Sequence, residues 1–208
     1  MNNVYASNIE EIIDLIASVG TTRTVLVEGD MGIGKSSILK LLAKRFPDHH
    51  PSYFDCTTKD LGDLYIPDLD TERGCVTFLP NEQFGIHTGK PLLLMIDEFG
   101  KANPSVKNGM LVPMLEGVIG GTKMPEGSIT FATTNLGAEG VGDMLPPHAR
   151  NRIIVVRMRK PSSDEWINNY AINNSVHPSV MGFVKEFPQV MQSFTEVTNP
   201  EDNPYIYH

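Results

Sequence analysis

The segment Gly29-Asp30-Met31-Gly32-Ile33-Gly34-Lys35-Ser36 carries the strongest chemical signal in this chain. It matches the phosphate-binding pattern G-x-x-x-x-G-K-[ST] at every fixed position. Glycines at this spacing let backbone N–H groups curl around phosphate oxygens, and the N-terminus of a following helix adds its partial positive charge. In that chemistry Lys35 reaches the β- and γ-phosphates of ATP, and the Ser36 hydroxyl ligates Mg2+. Ser37 follows as the first residue of the apolar-periodic stretch.

Two carboxylates form a second candidate group. Asp97-Glu98 directly follows the apolar run Leu92-Leu93-Leu94-Met95-Ile96. A carboxylate at the C-terminal edge of a parallel strand faces the ligand crevice. There Asp97 would hold Mg2+ through its water shell, and Glu98 would polarise an attacking water. Asn135 ends the run Thr133-Thr134-Asn135. It could bind a γ-phosphate or orient the water without adding charge, although taken alone it reads first as a turn residue before Gly137. Arg150 and Arg152 stand between Pro146-Pro147 and the strand-like Ile153–Val156. An arginine at such a junction on a subunit edge can reach a neighbour's γ-phosphate; a surface salt bridge explains the pair equally well. No Asn-Lys-x-Asp follows the Asn135 strand, so a guanine-specificity loop is not supported.

The elements that would position these groups are legible from periodicity. Ser7-Asn8 reads as the cap of a helix with Ile9, Ile12, Ile13 and Ile16 on one face, and Gly20 ends it. Thr24–Val27 is a short β-rich run leading into the glycine loop. Ser37–Phe46 is apolar at helical spacing and stops at Pro47. Ser52–Cys56 reads as a strand and Thr58–Leu64 as a short helix. Residues Ile66–Pro80 read as irregular, with a hairpin around Thr71-Glu72-Arg73-Gly74. Leu92–Ile96 is a continuous apolar run, which predicts a strand buried on both faces. Asn103-Pro104 opens a helix carrying Val106, Met110, Leu111, Met114 and Leu115 inward. Gly117–Gly127 reads as a second hairpin, Ile129–Thr133 and Ile153–Val156 as strands, and the chain turns helical from Ser162. Strands alternating with helices imply a three-layer α/β sandwich on a parallel sheet.

Composition narrows the function classes. The 208 residues suit one α/β core with a small appendage. Net charge is −8, which argues against broad sequence-independent binding of nucleic acid, since that needs a basic face. The longest apolar run is far too short to cross a membrane. Met1–Tyr5 has no leader-like pattern, so a cytoplasmic protein is expected. Cys56 and Cys75, the only cysteines, suggest neither a disulfide framework nor zinc.

The ordered set Lys35-Ser36, Asp97-Glu98, Asn135 and Arg152 resembles Walker A, Walker B, sensor 1 and arginine finger of an AAA+ ATPase. Leu61-Gly62-Asp63-Leu64, Phe78-Leu79-Pro80, Leu92–Ala102, Leu111–Gly117 and Leu145-Pro146-Pro147 leading to Asn151-Arg152-Ile153 narrow the resemblance to the MoxR branch. It covers about residues 8 to 160. It implies a P-loop AAA+ core over 1–160, with a parallel five-stranded sheet in the order 5-1-4-3-2. Residues 161–208 would form a partial C-terminal helical lid. It also implies that residues 66–80 and 117–127 project toward a ring pore or a client. An ATPase using Mg2+ follows, assembled as a hexameric homo-oligomer and acting as a chaperone-like remodeller beside a von Willebrand A domain protein. Glu98, Asn135 and Arg152, with Arg150 as second choice for the finger, would be its catalytic residues. Gly29 to Ser37 would cradle the nucleotide, and Ser36 and Asp97 would serve the metal. The chain departs from the family at Gly100-Lys101, where Asn-Arg is usual, and no sensor 2 arginine is evident after residue 160. An ATP-gated assembly module with weak or no hydrolysis is therefore a second expectation, and a DNA-directed AAA+ protein such as a helicase loader a third.

Overall fold

The computed structural model describes residues 6–135 and 145–192. Gly137, the N-terminal stretch 1–5 and the end of the expected lid beyond residue 192 lie outside them. The chain divides into two compact units, residues 1–159 and 160–208.

The first unit is an α/β fold around a six-stranded, wholly parallel sheet. Its strands are β1 (Ala6–Ser7), β2 (Thr24–Gly29), β3 (His50–Asp55), β6 (Leu92–Asp97), β9 (Ile129–Asn135) and β10 (Ile153–Met158), standing in the order β1-β10-β2-β9-β6-β3. Five strands were expected. The sixth is the short edge strand β1, which pairs Ala6 with Arg157 and Ser7 with Met158. Two residues are too few to leave a periodic signal.

Alternation along the strands feeds two cores. Val25, Val27, Leu93, Met95 and Phe131 pack with Ile12 and Ile16 of α1 (Ile9–Val19) and Ile38 and Leu42 of α2 (Ser37–Arg45). Leu26, Leu94, Ile96, Ala132 and Ile153 pack on the other side with Val106, Met110 and Met114 of α3 (Pro104–Glu116). β6 is buried along its whole length, as its unbroken apolar run requires. Local chemistry sets the helix starts. The Asn8 side chain accepts from Glu11 N, and the Glu11 carboxylate accepts from Asn8 N, each at 2.9 Å. Gly20 closes α1 in a right-handed conformation. A glycine is needed there for space, since a Cβ would lie 2.5 Å from Ile16 O.

Two segments differ from expectation. Residues 66–80 are largely regular: β4 (Tyr65–Asp70) and β5 (Cys75–Pro80) form an antiparallel hairpin around the anticipated turn. Proline and acidic residues mask the strand pattern there, and the strands bury little, leaving Ile66, Leu69, Val76, Phe78 and Leu79 exposed. Thr58–Leu64 yields only a single 3-10 turn, Leu61–Asp63, boxed by Asp60 and Asp63. The second expected hairpin is present as β7 (Val118–Ile119) and β8 (Thr122–Lys123), turning at Gly120 and Gly121 with positive φ.

In the second unit, Ser162 and Glu165 form a reciprocal cap at 3.2 and 2.8 Å. The helix that follows widens into a π-helical turn over Trp166–Ala171, tightens over Ile172–Asn174, and gives way to a separate helix, Pro178–Glu186.

Candidate functional site

The C-terminal ends of β2, β9 and β6, three neighbours in the sheet, bring the principal candidates together. The loop after β2 holds Gly32 at φ 75° and Gly34 at φ 96°. Nothing lies within 4 Å of a Cβ placed on Gly32, so the glycine serves the left-handed backbone rather than a crowded neighbour. Met31 is exposed, Ile33 is anchored in the core, and the Ser36 side chain makes no capping hydrogen bond at the start of α2. That leaves the Ser36 hydroxyl, on an exposed residue, open to another ligand.

Lys35 is 7% exposed, and its ammonium donates to Gly29 O and Asp30 O at 2.7 Å each and to Asn135 Oδ1 at 2.8 Å. An ammonium has three protons, so each has an acceptor. Burial pulls the Lys35 pKa below the usual lysine value; Glu98, Asp97 and Asp30 oppose that pull, and Lys101 adds to it. Asn135 then spans to the carboxylate: its Nδ2 donates to both Oε1 and Oε2 of Glu98 at 2.8 Å. Oε2 of Glu98 also meets Lys101 Nζ at 3.2 Å. A cation, an amide, a carboxylate and a second cation thus form one continuous polar chain.

Glu98 itself sits at φ 53°, ψ 36°, a left-handed conformation that costs a non-glycine residue roughly 1–2 kcal/mol. The sharp reversal ends β6 and starts the 3-10 turn Phe99–Lys101, which carries Lys101 back to the carboxylate. Asp97, the last residue of β6, is buried. Its Oδ1 accepts from the Thr133 hydroxyl and from Glu98 N at 3.1 Å, and its Oδ2 accepts from Tyr53 OH at 2.9 Å. Burial, then the bond to Asp97, hold the Tyr53 phenol well above its ordinary pKa.

Arg150 and Arg152 are not part of this cluster. Arg152 precedes β10, whose first residue pairs with Thr24 at the start of β2, so it lies at the opposite end of the sheet from the glycine loop. A six-residue strand separates the two ends by about 16–20 Å. Its guanidinium donates to Leu115 O at 3.4 Å, and the Arg150 guanidinium donates to Leu145 O at 2.9 Å. Neither has a carboxylate partner among the described residues, so the salt-bridge explanation finds no support there.

Sequence reasoning missed Tyr53, Thr133 and Lys101. Thr133 and Lys101 flank residues already singled out. Tyr53 is visible only once β3 and β6 are paired in register, with Asp55 beside Asp97.

The donor set suits a hard divalent cation shared with a phosphate ligand. Mg2+ takes one or two protein oxygens and completes its octahedron with water and phosphate. The Ser36 hydroxyl could supply such an oxygen, and the buried Asp97 carboxylate could hold the ion through its water shell. No group of three or more His, Cys, Asp or Glu able to hold a metal by themselves occurs among the described residues. None of their helices is long and apolar enough to cross a membrane.

No family model matches the chain, and no curated protein matches it. Among solved structures it is similar to a crystal structure from Cytophaga hutchinsonii ATCC 33406 described as "a putative ATPase". The two share 18% identity and superpose with a TM-score of 0.49 over 82% of this chain and 52% of that one. The chain thus spans about half the length of that protein.

Proposed function

We propose that this chain binds ATP with Mg2+ and hydrolyses it to ADP and phosphate, as an AAA+ ATPase of the MoxR type. The observation that carries the reading is the hydrogen-bonded chain Lys35–Asn135–Glu98 across the ends of adjacent strands, beside a glycine loop of positive φ. Each group has a role set by its chemistry. The loop N–H groups and Lys35 bind the β- and γ-phosphates. Asn135, with both an acceptor and donors, turns from Lys35 and Glu98 to the γ-phosphate and the attacking water. The Glu98 carboxylate accepts a hydrogen bond from that water and directs its lone pair at phosphorus. Ser36 and Asp97 would hold the cation, which would supply charge neutralisation at the phosphate oxygens.

The placement of Arg152, with Arg150 as the alternative, supports a ring. At the far end of its own sheet, Arg152 serves a γ-phosphate only across a subunit boundary. The order of the five longer strands, β10-β2-β9-β6-β3, fits the AAA+ reading, and the helical residues 160–192 fit a partial lid. The exposed apolar residues of the β4–β5 hairpin fit a surface that grips a protein client, with a von Willebrand A domain protein as the partner class the resemblance implies. The acidic balance disfavours a DNA-directed role.

A second reading, an ATP-gated assembly module with slow hydrolysis, is favoured by one observation: Glu98 is held by both Asn135 and Lys101, which restrains it as a water-polarising base. Steady-state phosphate release separates the two. Glu98→Gln should keep ATP affinity and lose turnover by at least about a hundredfold. A wild type that binds ATP without measurable turnover would favour the assembly module.

A further inference from the structure

Asp97 has unusual neighbours for a carboxylate at a strand end. Asp55 stands directly opposite it on β3, and like charges in that position repel. Asp55 is held by its own turn, where Oδ1 accepts from Thr57 N at 2.9 Å and from the Thr57 hydroxyl at 2.7 Å. Tyr53 lies two residues before Asp55, on the same face of β3. It reaches diagonally to Asp97 Oδ2 from the edge of the sheet. A carboxylate offers about four lone-pair positions. Thr133 and Glu98 N occupy Oδ1, and Tyr53 occupies one position of Oδ2. What remains free on Asp97 is a single direction on Oδ2, set by the tyrosine on one side and the threonine on the other.

We infer that Tyr53 is a positioning residue for the divalent cation: its hydroxyl fixes the Asp97 carboxylate so that Oδ2 presents one lone pair to the water shell of a nucleotide-bound Mg2+. The inference rests on the proposed ATPase reading and deepens it. The position suits the role. Tyr53 is 48% exposed and its ring fills no core cavity, so the fold does not need a phenol there. Its hydroxyl reaches the site at Asp97 Oδ2. Outer-sphere partners of this kind tune how tightly a metal is held without touching it.

The test uses the full chain, a non-hydrolysable ATP analogue, and Mn2+ as a spectroscopic stand-in for Mg2+. Tyr53→Phe keeps the ring and removes the hydroxyl, and circular dichroism verifies the fold. Mn2+ affinity of the analogue complex, titrated by electron paramagnetic resonance, should fall about tenfold in Tyr53→Phe. Affinity for the analogue in EDTA should stay within about twofold of wild type, because the phosphate-binding loop is untouched. A Mn2+ affinity equal to that of wild type overturns the proposal, as does an equal loss of analogue affinity in EDTA. Asp97→Asn is the parallel arm. If it leaves Mn2+ affinity intact, or if wild type binds the analogue equally with and without the cation, the underlying assignment of the cation site fails, and the proposal with it.

Discussion

Asn135→Ala tests the polar chain directly and needs no ligand. The substitution removes the third acceptor of Lys35 and the two hydrogen bonds that Asn135 Nδ2 donates to Glu98. The two ends respond differently. The Glu98 side chain is 25% exposed and keeps Lys101, so water replaces much of what it loses. Lys35 is 7% exposed and keeps only Gly29 O and Asp30 O, so one charged donor is left buried without a partner. Leaving such a group unsatisfied costs about 1–3 kcal/mol, and about 2 kcal/mol is expected here. With a urea m-value of about 2 kcal/mol/M, the unfolding midpoint should fall by about 1 M at unchanged slope. A double-mutant cycle isolates the contact: in a Lys35→Met background the cost of Asn135→Ala should shrink by about 2 kcal/mol, because the buried donor is gone. A midpoint that moves by less than about 0.3 M, or no coupling in the cycle, would refute the connected network.

Two further outcomes follow from the geometry. If Arg152 acts across a subunit boundary, mixing Arg152→Ala with Lys35→Ala should restore activity that neither variant has alone, and specific activity should rise with protein concentration. A finger of this kind contributes about 10³–10⁵ in rate, so the rescue is easily read; no rescue in demonstrated mixed oligomers would exclude Arg152 from that role. The cysteines should differ in reactivity. Cys56 is buried, and burial, with Asp55 and Asp97 nearby, has its thiol pushed up to about 12, whereas Cys75 is exposed on the hairpin. At pH 8 a disulfide-exchange reagent should label Cys75 quickly in the native chain and Cys56 only after denaturation; equal native rates would contradict the described burial.

The sheet was legible where periodicity was strong and local chemistry agreed with it. Leu92–Ile96 announced a doubly buried strand because no polar residue interrupts it, and Ser7-Asn8 and Asn103-Pro104 marked helix starts, where the structure caps with Asn8 and Asn103. β1 and the β4–β5 hairpin were not legible as strands. The first is too short, and the second is stabilised by pairing and ring contacts such as Tyr65–Phe78 rather than by a buried face. The first-rank site groups Lys35, Asp97, Glu98 and Asn135 could be named from the sequence because fixed spacing and strand ends constrain them. That Asn135 joins Lys35 to Glu98, and that Tyr53 reaches Asp97, depends on strand order and register over 100 and 44 residues of separation, which no local pattern encodes.

The central claim, that the glycine loop and Lys35 bind the phosphates of ATP, is tested most directly by titrating wild type and Lys35→Ala with a fluorescent ATP analogue in the presence of Mg2+. Saturable binding is expected for wild type and at least about a hundredfold weaker binding for a folded Lys35→Ala, since that variant removes the buried cation proposed to meet the β- and γ-phosphates. Equal affinity in the two folded proteins would contradict it.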